Sequence, residues 1–409
     1  MTDYLPRHAE KTIKELARMY GAVLVTGMRQ VGKSTLLSHT TAPMKELTFD
    51  NAATFEAAAR APELFFDYNP PPIFLDEIQK APDLFSQMKQ IIDSGKKKGL
   101  FFLSGSQQFH MMKYVSDSLA GRIGIVNLAG LSLRELNKSS IDLPFAPTSD
   151  YFKEVTVKQP PLIAALDVWK IIHRGSMPSL ALNPDYSWDQ YYGAYLRTYI
   201  QRDVRELTQI DDQYVFQTFM NVLAARTGQM LNMDEVARTV GISSPTAKRW
   251  LSILIASNIV FLLQPYYSNL TKRAIKTPKL YFTDTGLAAY LARWNTPDAL
   301  RLGAMAGAFF ETFVVMEIVK SYYNAGILQP PLYYFRDRDK NEIDLIIETD
   351  GHLHPIEIKT TGLPNLDDIK AFSKLDNLSV PRGSGGVVCL AGTMQAMSKS
   401  DRVIPLSLL

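Results

Sequence analysis

The segment Gly27-Met28-Arg29-Gln30-Val31-Gly32-Lys33-Ser34 constrains this chain more than any other. Two glycines with Lys-Ser directly after the second fit the phosphate-binding P-loop pattern. The flanks agree with it. Gly21 to Thr26 (GAVLVT) reads as a short buried strand, and Thr35-Leu36-Leu37 opens a helix. Gly27 and Gly32 let backbone N–H groups turn inward around phosphates, and the helix N-terminus adds a favourable field. Lys33 is placed to reach the β- and γ-phosphates of a nucleoside triphosphate. Ser34 supplies a hydroxyl for Mg²⁺, and Thr35 joins the same phosphate-binding turn.

A sheet must surround such a loop, and the first 140 residues supply one. Apolar runs at 22–26, 46–50, 72–77, 100–105 and 123–128 alternate with amphipathic helical stretches, the pattern of a parallel α/β sheet. The run at 72–77 ends in Asp76-Glu77, at the carboxyl end of a strand where ligands bind in open α/β sheets. Asp76 is expected to hold Mg²⁺ through water, and Glu77 to orient or deprotonate the attacking water. The run at 100–105 leads into Ser104-Gly105-Ser106, where either Ser104 or Ser106 suits a hydrogen bond to the γ-phosphate or the water. Arg122, in Ser118-Leu119-Ala120-Gly121-Arg122, has two readings: an arginine finger for a neighbouring subunit's ATP, or a structural arginine.

Together these residues resemble the AAA-type ATPases, in particular a prokaryotic branch reading GxRQxGKT, LDEIQ, SGS and SLAGR. Here the four stand as GMRQVGKS, LDEIQ, SGSQ and SLAGR. The resemblance implies ATP and Mg²⁺ as cofactors and a homo-oligomer, by analogy a hexameric ring. It also implies a lid contact to nucleotide at Arg174-Gly175-Ser176-Met177-Pro178, where Ser176 replaces the second glycine of the branch's Gly-Gly-x-Pro element. Tyr199-Ile200-Gln201-Arg202-Asp203 matches a further motif of these ATPases, with no physical role apparent.

Bulk properties set the frame. At 409 residues the chain has room for several cores, and 46% hydrophobic with 21% charged residues is ordinary for a globular protein. The longest apolar stretches are too short and interrupted to span a bilayer, so no membrane role is expected. The N-terminus lacks an apolar signal-peptide core, and the single cysteine, Cys389, fits a reducing cytoplasm. Four parts are expected: an ATPase core (1–140), a lid or connector (141–195), a helical and winged-helix part (196–295) and a C-terminal α+β part (300–409).

The third part concentrates positive charge. Residues 232–290 hold seven Lys/Arg against three acidic residues, an excess larger than the +3 of the whole chain. Met233–Val240, the turn Gly241-Ile242-Ser243 and Ser244–Ser257 read as a helix–turn–helix, followed by a strand pair or wing. Thr246, Lys248 and Arg249 sit on the presumed recognition helix, and Lys272 and Arg273 on the wing tip. Those five are the candidate DNA contacts. A winged helix that serves only protein contacts is the alternative.

In the last part, Glu342–Glu348 and Leu353–Lys359 flank Asp350-Gly351, a type I′ hairpin signal. With those two residues as the loop, Asp344 faces Glu357 and Glu342 faces Lys359. Ile343, Leu345, Ile356 and Ile358 share the opposite face. Two facing carboxylates repel unless a cation lies between them. A divalent ion would offset this, with Lys359 positioning a water and Glu311, in the apolar helix 305–323, as a fourth group. The order helix-Glu, strand-Asp, Glu-x-Lys resembles the PD-(D/E)XK nuclease fold. That resemblance implies Glu311, Asp344 and Glu357 as metal ligands, and Asp344, Glu357 and Lys359 as catalytic. A salt-bridged structural face is the alternative.

Overall fold

The computed structural model describes residues 4–95, 97–105, 114–158, 165–199, 213–267 and 277–409. The chain divides into two compact units. One comprises residues 1–131 with 256–258 and 322–328, and the other comprises 132–255, 259–321 and 329–409.

The first unit is a parallel sheet flanked by helices. Helix α1 (Ala9–Met19) leads into strand β1 (Ala22–Thr26), then helix α2 (Lys33–Thr41) and strand β2 (Lys45–Thr48). Helices α3 (Ala52–Arg60) and α4 (Pro62–Tyr68) precede strand β3 (Ile73–Asp76). Helix α5 (Leu84–Ser94), strand β4 (Phe101–Ser104) and strand β5 (Ile123–Asn127) complete it. The strand order is β2-β3-β4-β1-β5, and every pairing is parallel. β1 is buried at all five positions because neighbours cover both its edges and both its faces. Leu24, Leu75 and Leu103, on adjacent strands, pack with Phe65, Phe85 and Met88 in one core cluster. Because β4 lies between β1 and β3, its end stands between the P-loop and Asp76.

The second unit carries a nine-stranded mixed sheet and most of the remaining helices. Helix Gln213–Ala224, strand β6 (Gln229–Met230), helices Met233–Val240 and Ser244–Ala256, and strands β7 (Val260–Pro265) and β8 (Lys279–Phe282) follow in order. Helix Ala306–Asn324 then precedes β9 (Leu332–Arg336), β10 (Glu342–Thr349), β11 (His352–Lys359), β12 (Gly385–Cys389), β13 (Gln395–Ala396) and β14 (Asp401–Pro405). The sheet order is β13-β14-β12-β11-β10-β9-β7-β8-β6. β7 runs parallel to β9, pairing Gln264 with Tyr333, so the sheet passes unbroken from the helix–turn–helix part into the C-terminal part.

The hairpin register matches the sequence reading. Leu345 pairs with Ile356 and Thr349 with His352, and the loop residues Asp350 and Gly351 have φ of 51° and 70°. Ile343, Leu345, Ile356 and Ile358 are all buried. The ladder stops at 345–356, however, so neither the expected 344–357 nor the expected 342–359 pair forms, and a register shift in β10 between Ile343 and Ile346 breaks the alternation. Instead of continuing to a 344–357 pair, the Asp344 carboxylate accepts the Ile358 N–H at 3.0 Å.

Candidate functional sites

At the P-loop the local geometry follows from the glycines. Gly27 has φ 142°, and a Cβ there would lie 2.1 Å from the Leu128 carbonyl oxygen. Gly32 sits at φ 90° and caps α2. Only glycine serves at either position without strain. The Lys33 side chain arches back over the loop, its ammonium donating to the carbonyls of Gly27 at 3.1 Å and Met28 at 2.8 Å. Ser34 Oγ donates to Asp76 Oδ1 at 2.7 Å, and Ser104 Oγ donates to the same oxygen. The first turn of α2 and the end of β4 thus converge on the carboxylate at the end of β3. Thr35 is exposed on the first turn of α2.

Of the two candidate serines, Ser104 is described and lies beside Asp76. Ser106 lies outside the described residues. Glu77, half-buried, is the first residue past β3 and has φ 54°. Its carboxylate accepts from the Gln79 side-chain amide. Gln79 is a positioning residue to which the sequence alone assigns no role, although it stands in the LDEIQ segment. Arg7 gives no signal in the sequence either, being a lone arginine before an amphipathic helix. Buried, it donates to Val31 O at 3.0 Å and Ala129 O at 2.8 Å, tying the P-loop to the end of β5.

Arg122 makes a two-pronged ion pair with Asp93, Nε to Oδ1 at 2.6 Å and a terminal nitrogen to Oδ2 at 2.9 Å. The hydrogen bond to this guanidinium holds the Asp93 carboxyl below its ordinary range. The arginine is therefore engaged within its own chain.

Gly175-Ser176 serves the interior of the second unit. Ser176 is buried, and its N–H and Oγ both donate to Asp284 Oδ2, at 2.7 and 3.0 Å. Asp284 Oδ1 accepts from Tyr192 OH at 2.6 Å and the Leu287 N–H at 2.8 Å. A Cβ at Gly175 would fall 2.3 Å from Tyr192 Oη. Both polar atoms of Ser176 are thus engaged by a buried carboxylate hub within the second unit.

On the helix–turn–helix, Trp250 is buried against Phe216 and Phe219, which turns Lys248 and Arg249 outward. Arg238, on the preceding helix, is exposed as well, and none of the three has an ion pair among the described residues. The Thr246 hydroxyl is linked to Ser243 Oγ at 2.8 Å. Lys272 and Arg273 lie outside the described residues, as does the Ile200–Asp203 stretch of the motif noted above. Lys279 leaves the surface charge altogether, being 3% exposed as a side chain.

Lys279 reappears in the C-terminal carboxylate cluster. Its Nζ lies 2.9 Å from Glu311, 2.7 Å from Glu342 and 3.7 Å from Asp344. Tyr281 OH donates to Glu311 at 2.6 Å, and Lys359 Nζ pairs with Glu357 at 2.6 Å. Burial opposes the charge of Lys279, but Glu311, Asp344 and Glu342 outweigh it and raise the pKa. Burial, then the Asp344 charge, pushes Glu311 up to about 7 and Glu357 up to about 8. The expected ligands Glu311 and Asp344 do converge, yet around an ammonium. Among the described residues no group of three His, Cys, Asp or Glu is placed to hold a metal ion. As it stands, the cluster does not fit the divalent ion that the nuclease resemblance implies.

Comparison with known proteins agrees with the first of these sites. Residues 20–137 match the AAA domain family, 166–298 a domain of unknown function (DUF8612), and 306–409 a domain of unknown function (DUF4143). The N-terminal part is thus similar to the AAA domain family, in agreement with its P-loop and parallel sheet. The chain is 29% identical over 362 residues to the uncharacterized proteins Mb2031c of Mycobacterium bovis and Rv2008c of Mycobacterium tuberculosis, covering 88% of this chain and 75% of each relative. Among solved structures it is similar to the Walker-type ATPase PABY2304 of Pyrococcus abyssi, at 14% identity and a TM-score of 0.45. That match covers 71% of this chain and 99% of the other. No helix among the described residues is long and apolar enough to cross a membrane.

Proposed function

We propose that this protein hydrolyses ATP and uses the cycle to change how it holds DNA. The observation that carries the ATPase reading is the convergence of Ser34 and Ser104 on Asp76, beside a lysine already arched over a glycine loop. These groups fit a Mg²⁺-nucleotide. Ser34 and Asp76 would hold the ion, which neutralises charge on the phosphates. Lys33 would exchange the carbonyls of Gly27 and Met28 for phosphate oxygens. Glu77, oriented by Gln79, would accept the proton of the attacking water. Glu77→Gln should keep nucleotide binding and lose turnover; wild-type hydrolysis by that variant would overturn the assignment.

The DNA reading rests on Arg238, Lys248 and Arg249, exposed and without an ion pair among the described residues. They belong to a helix–turn–helix followed by antiparallel strands, the element order of a winged helix. Salt-dependent retardation of duplex DNA by the full chain tests it. If DNA binding is absent at low salt, the second reading takes over: a regulatory ATP switch acting through protein contacts. One observation already favours part of that reading. An ammonium occupies the centre of the C-terminal carboxylates, which suits a tail that does not cleave nucleic acid in this conformation.

A further inference from the structure

Arg7 takes no part in the chemistry assigned above, yet it is buried beside the nucleotide loop. Its backbone is braced first. The Glu10 carboxylate, on the first turn of α1, accepts the Arg7 N–H at 3.1 Å and the Tyr4 hydroxyl at 2.7 Å. The Tyr4 ring in turn stacks on His39 of α2, with centroids 3.8 Å apart. From that brace the guanidinium forks. One terminal nitrogen donates to the Val31 carbonyl at 3.0 Å, and the other to the carbonyls of Ala129 at 2.8 Å and Gly130 at 3.3 Å. The start of the loop leans on the same segment, Gly27 lying against the Leu128 carbonyl. Val31 stands between two residues of left-handed backbone, Gln30 at φ 63° and Gly32 at φ 90°. A glutamine rarely adopts that conformation, which persists only where its surroundings over-determine it. A trans peptide is planar, so its N–H points opposite to its C=O. With the Val31 carbonyl held by Arg7, the Gly32 N–H is turned to the other side of the loop.

Resting on the nucleotide-binding reading of this loop, we propose that Arg7 is a positioning residue for the phosphates. By spanning Val31 and residues 129–130 it fixes the Gly32 N–H toward the phosphate side before nucleotide arrives. A donor set in advance spares the nucleotide the cost of ordering the loop, so the arginine acts on affinity. ADP gains as ATP does, because the backbone N–H groups of a P-loop cradle the α- and β-phosphates that both carry. The contact is equally strong before and during hydrolysis, so its loss raises KM and spares kcat. Only a planar fork serves both groups of carbonyls at once; a lysine ammonium keeps the charge but is a point donor.

The test titrates the full chain with a fluorescent ADP and measures steady-state ATP hydrolysis and the melting temperature without nucleotide. Arg7→Met keeps the aliphatic stem and loses every donor. It should weaken ADP binding and raise the KM for ATP by about 10- to 100-fold, the worth of one hydrogen bond from a charged group, with kcat close to the parent's. Arg7→Lys retains the charge and should show a smaller rise of the same kind. Ile13→Val, on the buried face of α1, lowers stability without touching the loop and should leave both constants unchanged. An Arg7→Met or Arg7→Lys chain that binds ADP like the parent overturns the proposal. So does an equal rise with Ile13→Val, which would mark Arg7 as merely structural. Should Arg7→Met fail to fold, Arg7→Lys decides by the same two outcomes. A parent chain that binds neither ADP nor ATP overturns the nucleotide reading itself, and the role of Arg7 with it.

Discussion

At the scale of single residues, chemistry depends on which atom each side chain can reach. Lys33→Ala removes the ammonium over the loop, so nucleotide binding should fall below detection in an equilibrium assay with a fluorescent ATP analogue. Glu77→Gln leaves the phosphate contacts and should lower turnover by roughly 10²- to 10⁴-fold, the usual worth of a general base. Gln79→Ala should produce a smaller loss in the same assay, because it frees Glu77 to rotate without removing it. A different residue-scale effect concerns pH. Burial lowers the pKa of His173, whose Nε2 donates to the Trp294 carbonyl at 2.8 Å, and of His354, whose Nδ1 donates to the Ser384 carbonyl at 2.7 Å. The unfolded chain then binds those protons more readily than the folded one. Their contribution to stability is complete above the ordinary imidazole value of 6.5 and is lost as pH falls below it. Melting temperatures between pH 7.5 and 5 should show the decline, and the His173→Gln/His354→Gln chain should show a flatter slope.

At the scale of elements, two pieces of the second unit should respond to substitution in opposite ways. Asp284 ties helix Thr285–Leu291 to Ser176 and Tyr192 through four accepted hydrogen bonds. Asp284→Ala would leave those buried donors bare and should cost about 3–5 kcal/mol in the denaturant transition of this unit. The outer face of helix Ser244–Ala256 carries no such burden. Lys248→Ala/Arg249→Ala should leave stability within about 0.5 kcal/mol. The same pair should weaken DNA binding and reduce the salt slope by about one for each phosphate no longer neutralised. Unchanged affinity would place this face among protein contacts.

At the scale of the whole molecule, assembly turns on Arg122. To serve a neighbour's ATP it must exchange Asp93, now its two-pronged partner, for phosphate oxygens. If it does, mixing Arg122→Ala with Lys33→Ala chains should restore part of the turnover, and ATP should promote a ring. Hydrolysis independent of protein concentration, in a chain that stays monomeric with ATP, would leave Arg122 as a structural residue. Much of this organisation was legible along the chain. The strand runs, the glycine loop and the 345–356 hairpin register follow from local rules: side chains alternate along a strand, and glycine alone accepts certain backbone angles. Local sequence rules therefore carry the nucleotide loop, the Asp76-Glu77 strand end and the 345–356 pairing of the hairpin, while the shift in β10 between Ile343 and Ile346 is not written in them. Tertiary structure alone decided the rest. It placed β4 between β1 and β3, which set Ser104 beside Asp76. It also spent Ser176 on Asp284 and moved Lys279 from the expected basic surface into a nest of carboxylates. Each of those pairings joins residues 28 to 108 positions apart, and no local pattern encodes which distant charge a buried side chain will meet.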